Sequence, residues 1–229
     1  MNSQGLLGIF KPSLRPQTLL LRSLLLLPVL LLIWYSLAAV VTRPAIELSG
    51  WLLTGGFPNL IQSVGVNNFY MVSLTSLGAD TRQALPTDWV VFSQDFFLTG
   101  QHHPFLLQIP VNALKYGYGL PLFIALTLAQ PQSYHRTLGA IGSGFLVVTL
   151  IQTWGIYFDT LHFFLRITLP ELAEQVKQQA PFLTIPLVRE GVGFAYKIGF
   201  LIFPMILPLA LWAYYSNEFL KQLLSGSSP

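Results

Sequence analysis

The stretch Asn112–Pro131, NALKYGYGLPLFIALTLAQP, sets a lysine and two tyrosines directly before an apolar run. Tyrosine rings favour the headgroup level of a bilayer, and a lysine there reaches into water. Lys115, Tyr116 and Tyr118 therefore read as a membrane threshold, with Gly117 and Gly119 leaving room for close packing. The run from Tyr116 to Ala129 reads as a crossing, and the polar break QPQSYHRT ends it. It falls short of the roughly 20 apolar residues a spanning helix needs, unless the tyrosines and lysine lie in the interface.

The whole chain agrees with this reading. Hydrophobic residues make up 53% and charged residues 9% of it, against about 25% charged in soluble domains. The mean hydropathy is +0.59. Three further stretches are apolar enough to cross: Thr18–Val41, with Pro28 as a kink site, Leu138–Phe164, and Phe194–Tyr215, with Pro204 and Pro208 inside it. The first is too long in its apolar core for a signal peptide and has no convincing small-residue cleavage site, so it is expected to stay as an anchor. Leu138–Phe164 opens on GAIGSG, small residues that let helices approach closely. The fold class expected is a mainly α membrane protein of about four transmembrane helices.

Four crossings place both ends of the chain on one side. Lys11, Arg15, Arg22, Arg136 and Lys221 fall there, with Glu218. A basic N-terminal segment and a short basic loop mark the cytoplasmic side. Residues 1–41 are then a cytoplasmic start and first helix, 42–114 an extracytoplasmic segment, 115–216 a three-helix membrane region with an outer loop, and 217–229 a cytoplasmic tail. In the outer segment RPAIELSGWLLTGGFPNLIQSV is mildly amphipathic and suits the membrane surface. NFYMVSLTS, DWVVF and PFLLQIPVNA read as strands, and SLGADTRQALPTD as a loop. The result is a small β-rich element leaning on the bundle. Pro170, Glu171 and Glu174 start a short outer helix, Pro181 stops it, and a loop follows. The final SGSSP reads as a disordered tail.

The chain contains no cysteine, which excludes disulfides and thiolate chemistry. No basic stripe suits nucleic acid, and no phosphate-binding loop or nucleophile elbow suggests a cofactor or hydrolase. The third helix holds the most pointed pattern. Gln152, Asp159 and Arg166 recur every seven residues and share one stripe, with His162 beside them. Asp159 and His162 would serve a metal or a proton relay. The preferred reading is polar packing at the outer end of the helix, with Asp159 paired to Lys115 or Lys197. Those two lysines are read as interface anchors before attractors of anionic lipid. His102 and His103 are adjacent, point to opposite faces if on a strand, and read as solvated.

VVTRPAIELSGWLL, NFYMVSL and above all VNALKYGYGLPLFIALTLAQP resemble the exosortase H-associated membrane proteins, over roughly Leu20 to Ala213. These are small bacterial inner-membrane proteins encoded beside a dedicated exosortase. The resemblance implies a non-catalytic accessory role in sorting surface proteins that carry a C-terminal membrane anchor. The cysteine protease-type chemistry would then belong to the exosortase, a membrane-embedded partner. The family brings no established catalytic residues to carry over. The alternative is a small subunit of a transporter or envelope-assembly complex. The lack of an inverted repeat and the single polar stripe weigh against transport.

Overall fold

The computed structural model of the chain describes residues 16–66, 89–98, 105–130 and 132–224. The expected strand NFYMVSLTS, the loop SLGADTRQALPTD, His102, His103 and the SGSSP tail lie outside them. The described chain is mainly helical, with a small antiparallel sheet in the order β1-β2-β3.

Helix α1 (Pro16–Ser36) turns Leu19, Ser23 and Trp34 inward and leaves Leu20, Leu21, Leu24, Leu25 and Leu32 exposed. An apolar exposed face of this kind suits lipid, which is as apolar as leucine. The helix stops at Ser36, short of the expected Val41, and a break at Leu37 starts α2 (Ala38–Gly56). Helix α2 buries Ala45, Ile46, Ser49 and Leu53 and leaves Val40 and Trp51 exposed, so the amphipathic pattern reports a real helix. Its flank meets α4 (Tyr134–Leu165): the Thr153 hydroxyl donates to the Ala45 carbonyl at 3.4 Å. Just beyond the end of α2, Phe57 meets Tyr157 with ring centroids 5.9 Å apart.

Strand β1 (Ile61–Val66) was not expected. Its sequence, IQSVGV, has a weak alternation of its own, and the turn signal GGFPN before it falls within the amphipathic segment. It pairs with β2 (Trp89–Phe96), which pairs with β3 (Phe105–Val111), as DWVVF and PFLLQIPV had suggested. The register of β2 and β3 shifts between Phe92 and Asp95. The Ser93 hydroxyl repairs that bulge by accepting the Leu107 amide at 2.9 Å and donating to the Gln94 carbonyl at 2.8 Å. Leu107, Ile109 and Val111 alternate inward along β3, where Pro110 sits exposed on an edge strand that needs no N–H from it.

A 3₁₀ turn, Ala113–Tyr116, follows β3 after one residue and leads into α3 (Gly119–Ala129). Helices long and apolar enough to cross a membrane are Gln17–Ser36, Tyr134–Leu165 and Pro186–Tyr215. Helix α3 has 11 residues, about 16 Å of a hydrocarbon layer about 30 Å thick. The second expected crossing is therefore a short helix. It is buried along most of its length and packed by α1, α4 and α7 (Phe203–Tyr215), so its neighbours shield it from lipid.

Helix α5 (Pro170–Gln179) begins and ends where the prolines predicted. Gln175 ties it to the sheet: its side chain accepts the Phe97 amide at 2.9 Å and donates to the Phe97 carbonyl at 2.5 Å. The expected loop after Pro181 is instead a 3₁₀ turn, Pro181–Thr184, and α6 (Pro186–Lys197). Pro186 occupies the first helical position, where its missing N–H costs nothing, and the glycines at 191 and 193 do not break the helix. Helix α6 runs through a π-helical segment, Ile198–Ile202, into α7. The tail also contains α8 (Asn217–Leu224).

The buried apolar residues form separate clusters along the bundle. One joins the sheet, α2, α5 and the outer half of α4; a middle one holds Trp34, Leu120, Phe123 and Val148; the last holds Leu19, Leu126 and Ala129. The start of α1, the end of α3 and α8 thus meet at the end of the bundle opposite the sheet. Ser216 donates to Gln130 there at 2.9 Å, and Arg136 pairs with Glu218 at 3.2 Å.

Candidate functional site

The 3₁₀ turn lies on α4 through three successive contacts, and each uses one residue of a single stripe. Asn112 starts the turn, its side chain accepting the Leu114 amide at 3.0 Å. Gln152, almost fully buried, donates its side-chain amide to the Ala113 carbonyl at 3.2 Å. One turn on, Gly155 faces the Tyr116 ring, so close that a Cβ there would fall 2.3 Å from ring carbons. Another turn on, Asp159 pairs with Lys115, Nζ to Oδ2 2.6 Å. The two side chains are 30% and 22% exposed, so water screens the pair only in part.

Tyr116 is fully buried, whereas Tyr118 stays 43% exposed. Of the two tyrosines read as lying at the headgroup level, Tyr116 is thus drawn inside the bundle. The Tyr116 hydroxyl has no partner at full hydrogen-bond geometry, though it lies beside the Asp159 carboxylate. Burial, and then the neighbouring Asp159 charge, raise its pKa far above the usual phenol value and keep it protonated. Lys115 also lies over aromatic faces, 4.9 Å from the Tyr116 centroid and 5.8 Å from that of Tyr196.

Both glycines of KYGYG are needed for closeness. A Cβ on Gly117 would meet Gln152 Nε2 at 2.4 Å and Trp34 at 2.7 Å. A Cβ on Gly119 would lie 1.9 Å from the Pro204 carbonyl oxygen and 2.6 Å from Pro208 Cγ. Pro208 has no N–H to offer the Pro204 carbonyl four residues back, which leaves that oxygen outside the helix ladder and facing Gly119. In GAIGSG only Gly144 makes such a contact, against Phe123; Gly139 and Gly142 face open space.

A family model described as exosortase H-associated membrane protein matches residues 14–219. The chain belongs to this family. No curated protein and no solved structure matches it. The matched span takes in α1, the sheet strands, the 3₁₀ turn and all of α4, so the junction lies wholly inside it.

Of the residues singled out in the sequence, Lys115, Tyr116, Gln152 and Asp159 meet in the junction. His162 stands next to it and stacks on Tyr196, with centroids 4.5 Å apart at 14°. Arg166 is the exposed residue after α4, and Lys197 is the exposed last residue of α6. Tyr118 faces outward from the turn. Asp159 chose Lys115 over Lys197 because the turn carries Lys115 straight onto the stripe. Gly155 and Tyr196 were missed. Gly155 had a signal, since it completes the 152–155–159–162–166 stripe; Tyr196 had none beyond its place beside Lys197. No cluster of three or more His, Cys, Asp or Glu side chains forms among the described residues. With Asp159 held by a lysine, the arrangement suits fixing the sheet to the bundle better than binding a metal or moving a proton.

Proposed function

We propose that this chain is a non-catalytic accessory protein of an exosortase-type sorting system, associating with the sorting enzyme or its substrates. The family membership carries the reading. The junction supports it: a sheet seated on the bundle by backbone-close contacts, an ion pair and the Gln175 clamp presents a fixed surface to a partner. We place the chain in the bacterial inner membrane as a multi-pass protein. Residues 42–114 lie outside, and the segments before α1 and after α7 lie in the cytoplasm, as the basic residues Lys11, Arg15, Arg22 and Arg136 favour.

Affinity isolation of the tagged chain in mild detergent from its own host tests the association. The exosortase encoded in the same genome should co-isolate, and deleting the chain should impair anchor processing of sorted proteins. Isolation without the exosortase, together with normal processing in the deletion strain, would overturn the proposal. Alkaline phosphatase fusions separate the topology from the association: activity is expected at Ala79 and none at Gly226.

A further inference from the structure

We propose that His162, Arg166, Tyr196 and Lys197 form a binding site for the phosphate of an anionic phospholipid at the sheet-bearing end of the bundle. This does not depend on the exosortase association. The His162 ring stacks on Tyr196 with centroids 4.5 Å apart, which brings the end of α4, with Arg166 four residues on, against the end of α6, where Lys197 follows Tyr196. Asp159 is neutralised by Lys115 at 2.6 Å. Neither Arg166 nor Lys197 is in an ion pair with a described residue. Two basic side chains therefore flank the stacked pair without a counter-ion among the described residues. The His162–Tyr196 stack forms a platform between them, braced by Phe200 stacked on Tyr196 at 6.3 Å.

The surroundings select the ligand class. Arginine offers a planar fork and lysine a point charge, a combination suited to phosphate oxygens. Directly after Lys197 the chain enters the π-helical segment, and Leu201 and Ile202 of that segment are exposed, as is Met205 beyond them. π-bulges recur at functional sites. The cations thus stand at the head of an exposed apolar face, where acyl chains would lie while the phosphate meets the basic pair. A free anion would use the cations and leave that face unused.

Native mass spectrometry of the full chain in mild detergent tests this, with phosphatidylglycerol against phosphatidylcholine of the same acyl chains. The wild type should retain phosphatidylglycerol preferentially. Arg166→Gln with Lys197→Gln should weaken retention about thirtyfold, the expected loss for two basic residues at a membrane surface. Arg166→Lys with Lys197→Arg should keep most of it. Both positions are exposed, so folding should persist, and circular dichroism checks that. Equal retention by the wild type and the double glutamine variant overturns the proposal. An equal loss in Arg189→Gln, an exposed basic residue outside the cluster, also overturns it by showing generic surface charge. Displacement of the lipid by equimolar inorganic phosphate would replace the lipid assignment with a small-anion site.

Discussion

At one end of the bundle, the 3₁₀ turn and the start of α3 sit on α4 and α7 through glycines whose hydrogens touch a ring and a backbone carbonyl. At the other end, α4 and α8 are joined by Arg136 and Glu218, 64% and 78% exposed, and Gly139 near them faces open space. At Gly119 the first joint is fixed at the level of the backbone, where no rotamer can absorb a change. The second relies on hydrated side chains, whose pairing contributes about 0–1 kcal/mol. The accessory role proposed above would need rigidity where the sheet meets the membrane helices and could leave the opposite end loose.

The largest effect should come from Gly119→Val. Its Cβ would meet the Pro204 carbonyl oxygen, a backbone atom that can retreat only if α7 moves. A loss of about 3 kcal/mol is expected, seen as a strongly lowered melting temperature in detergent. Gly139→Val at the loose end should stay within about 0.5 kcal/mol of the wild type. Similar losses for both would erase the contrast between the ends. Gly155→Ala comes next, at about 2 kcal/mol, because its Cβ would press on the buried Tyr116 ring. A smaller side chain at 116 should relieve it. In a double-mutant cycle with Tyr116→Leu, the two changes should couple by about 1 kcal/mol or more. Additive losses would mean that the glycine is not the seat of the ring.

Parts of this joint were legible before any coordinates. The threshold reading of Lys115 and the seven-residue spacing of Gln152 and Asp159 brought the ion pair into view, because helical periodicity and interfacial chemistry are local properties. The short second helix was visible as a shortage of apolar residues between Tyr116 and Gln130. What could not be read is tertiary. Gly155 is an ordinary glycine until Tyr116 arrives over it, and Tyr116 leaves the headgroup level only because its ring is driven inward. Strand β1 was hidden because IQSVGV becomes a strand by pairing with β2, and its own pattern is weak. Helix α6 was hidden by prolines and glycines in PFLTIPLVREGVG, where Pro186 turned out to start a helix.

The charged pairs give a smaller contrast between the ends. Lys115→Gln leaves Asp159 partly buried and unpaired, for an expected loss of about 1 kcal/mol. Arg136→Gln should cost less than about 0.5 kcal/mol, since both partners there are mostly in water. Raising the salt concentration should shrink the second effect further and the first one less. If Lys115→Gln proved more damaging than Gly119→Val, the junction would be held by charge before packing.

Tyr116→Phe should have the smallest effect, and its sign is the informative part. The phenol is buried, its hydroxyl beside Asp159 lacks a well-formed hydrogen bond, and burial keeps it protonated. Its oxygen therefore bears a desolvation cost that no bond offsets. Phenylalanine keeps the ring that fills the space over Gly155 and lies under Lys115. It removes only the uncompensated hydroxyl. The melting temperature should therefore match or exceed that of the wild type, with a gain of up to about 1 kcal/mol. Tyr116→Leu as a single change should be clearly destabilising, because it removes the ring itself. A clear loss in Tyr116→Phe would mean that the hydroxyl donates to Asp159 in the folded protein. Lys115, Tyr116 and Asp159 would then form one polar network, and the sheet would be held by shared hydrogen bonds rather than by a ring seated on a glycine.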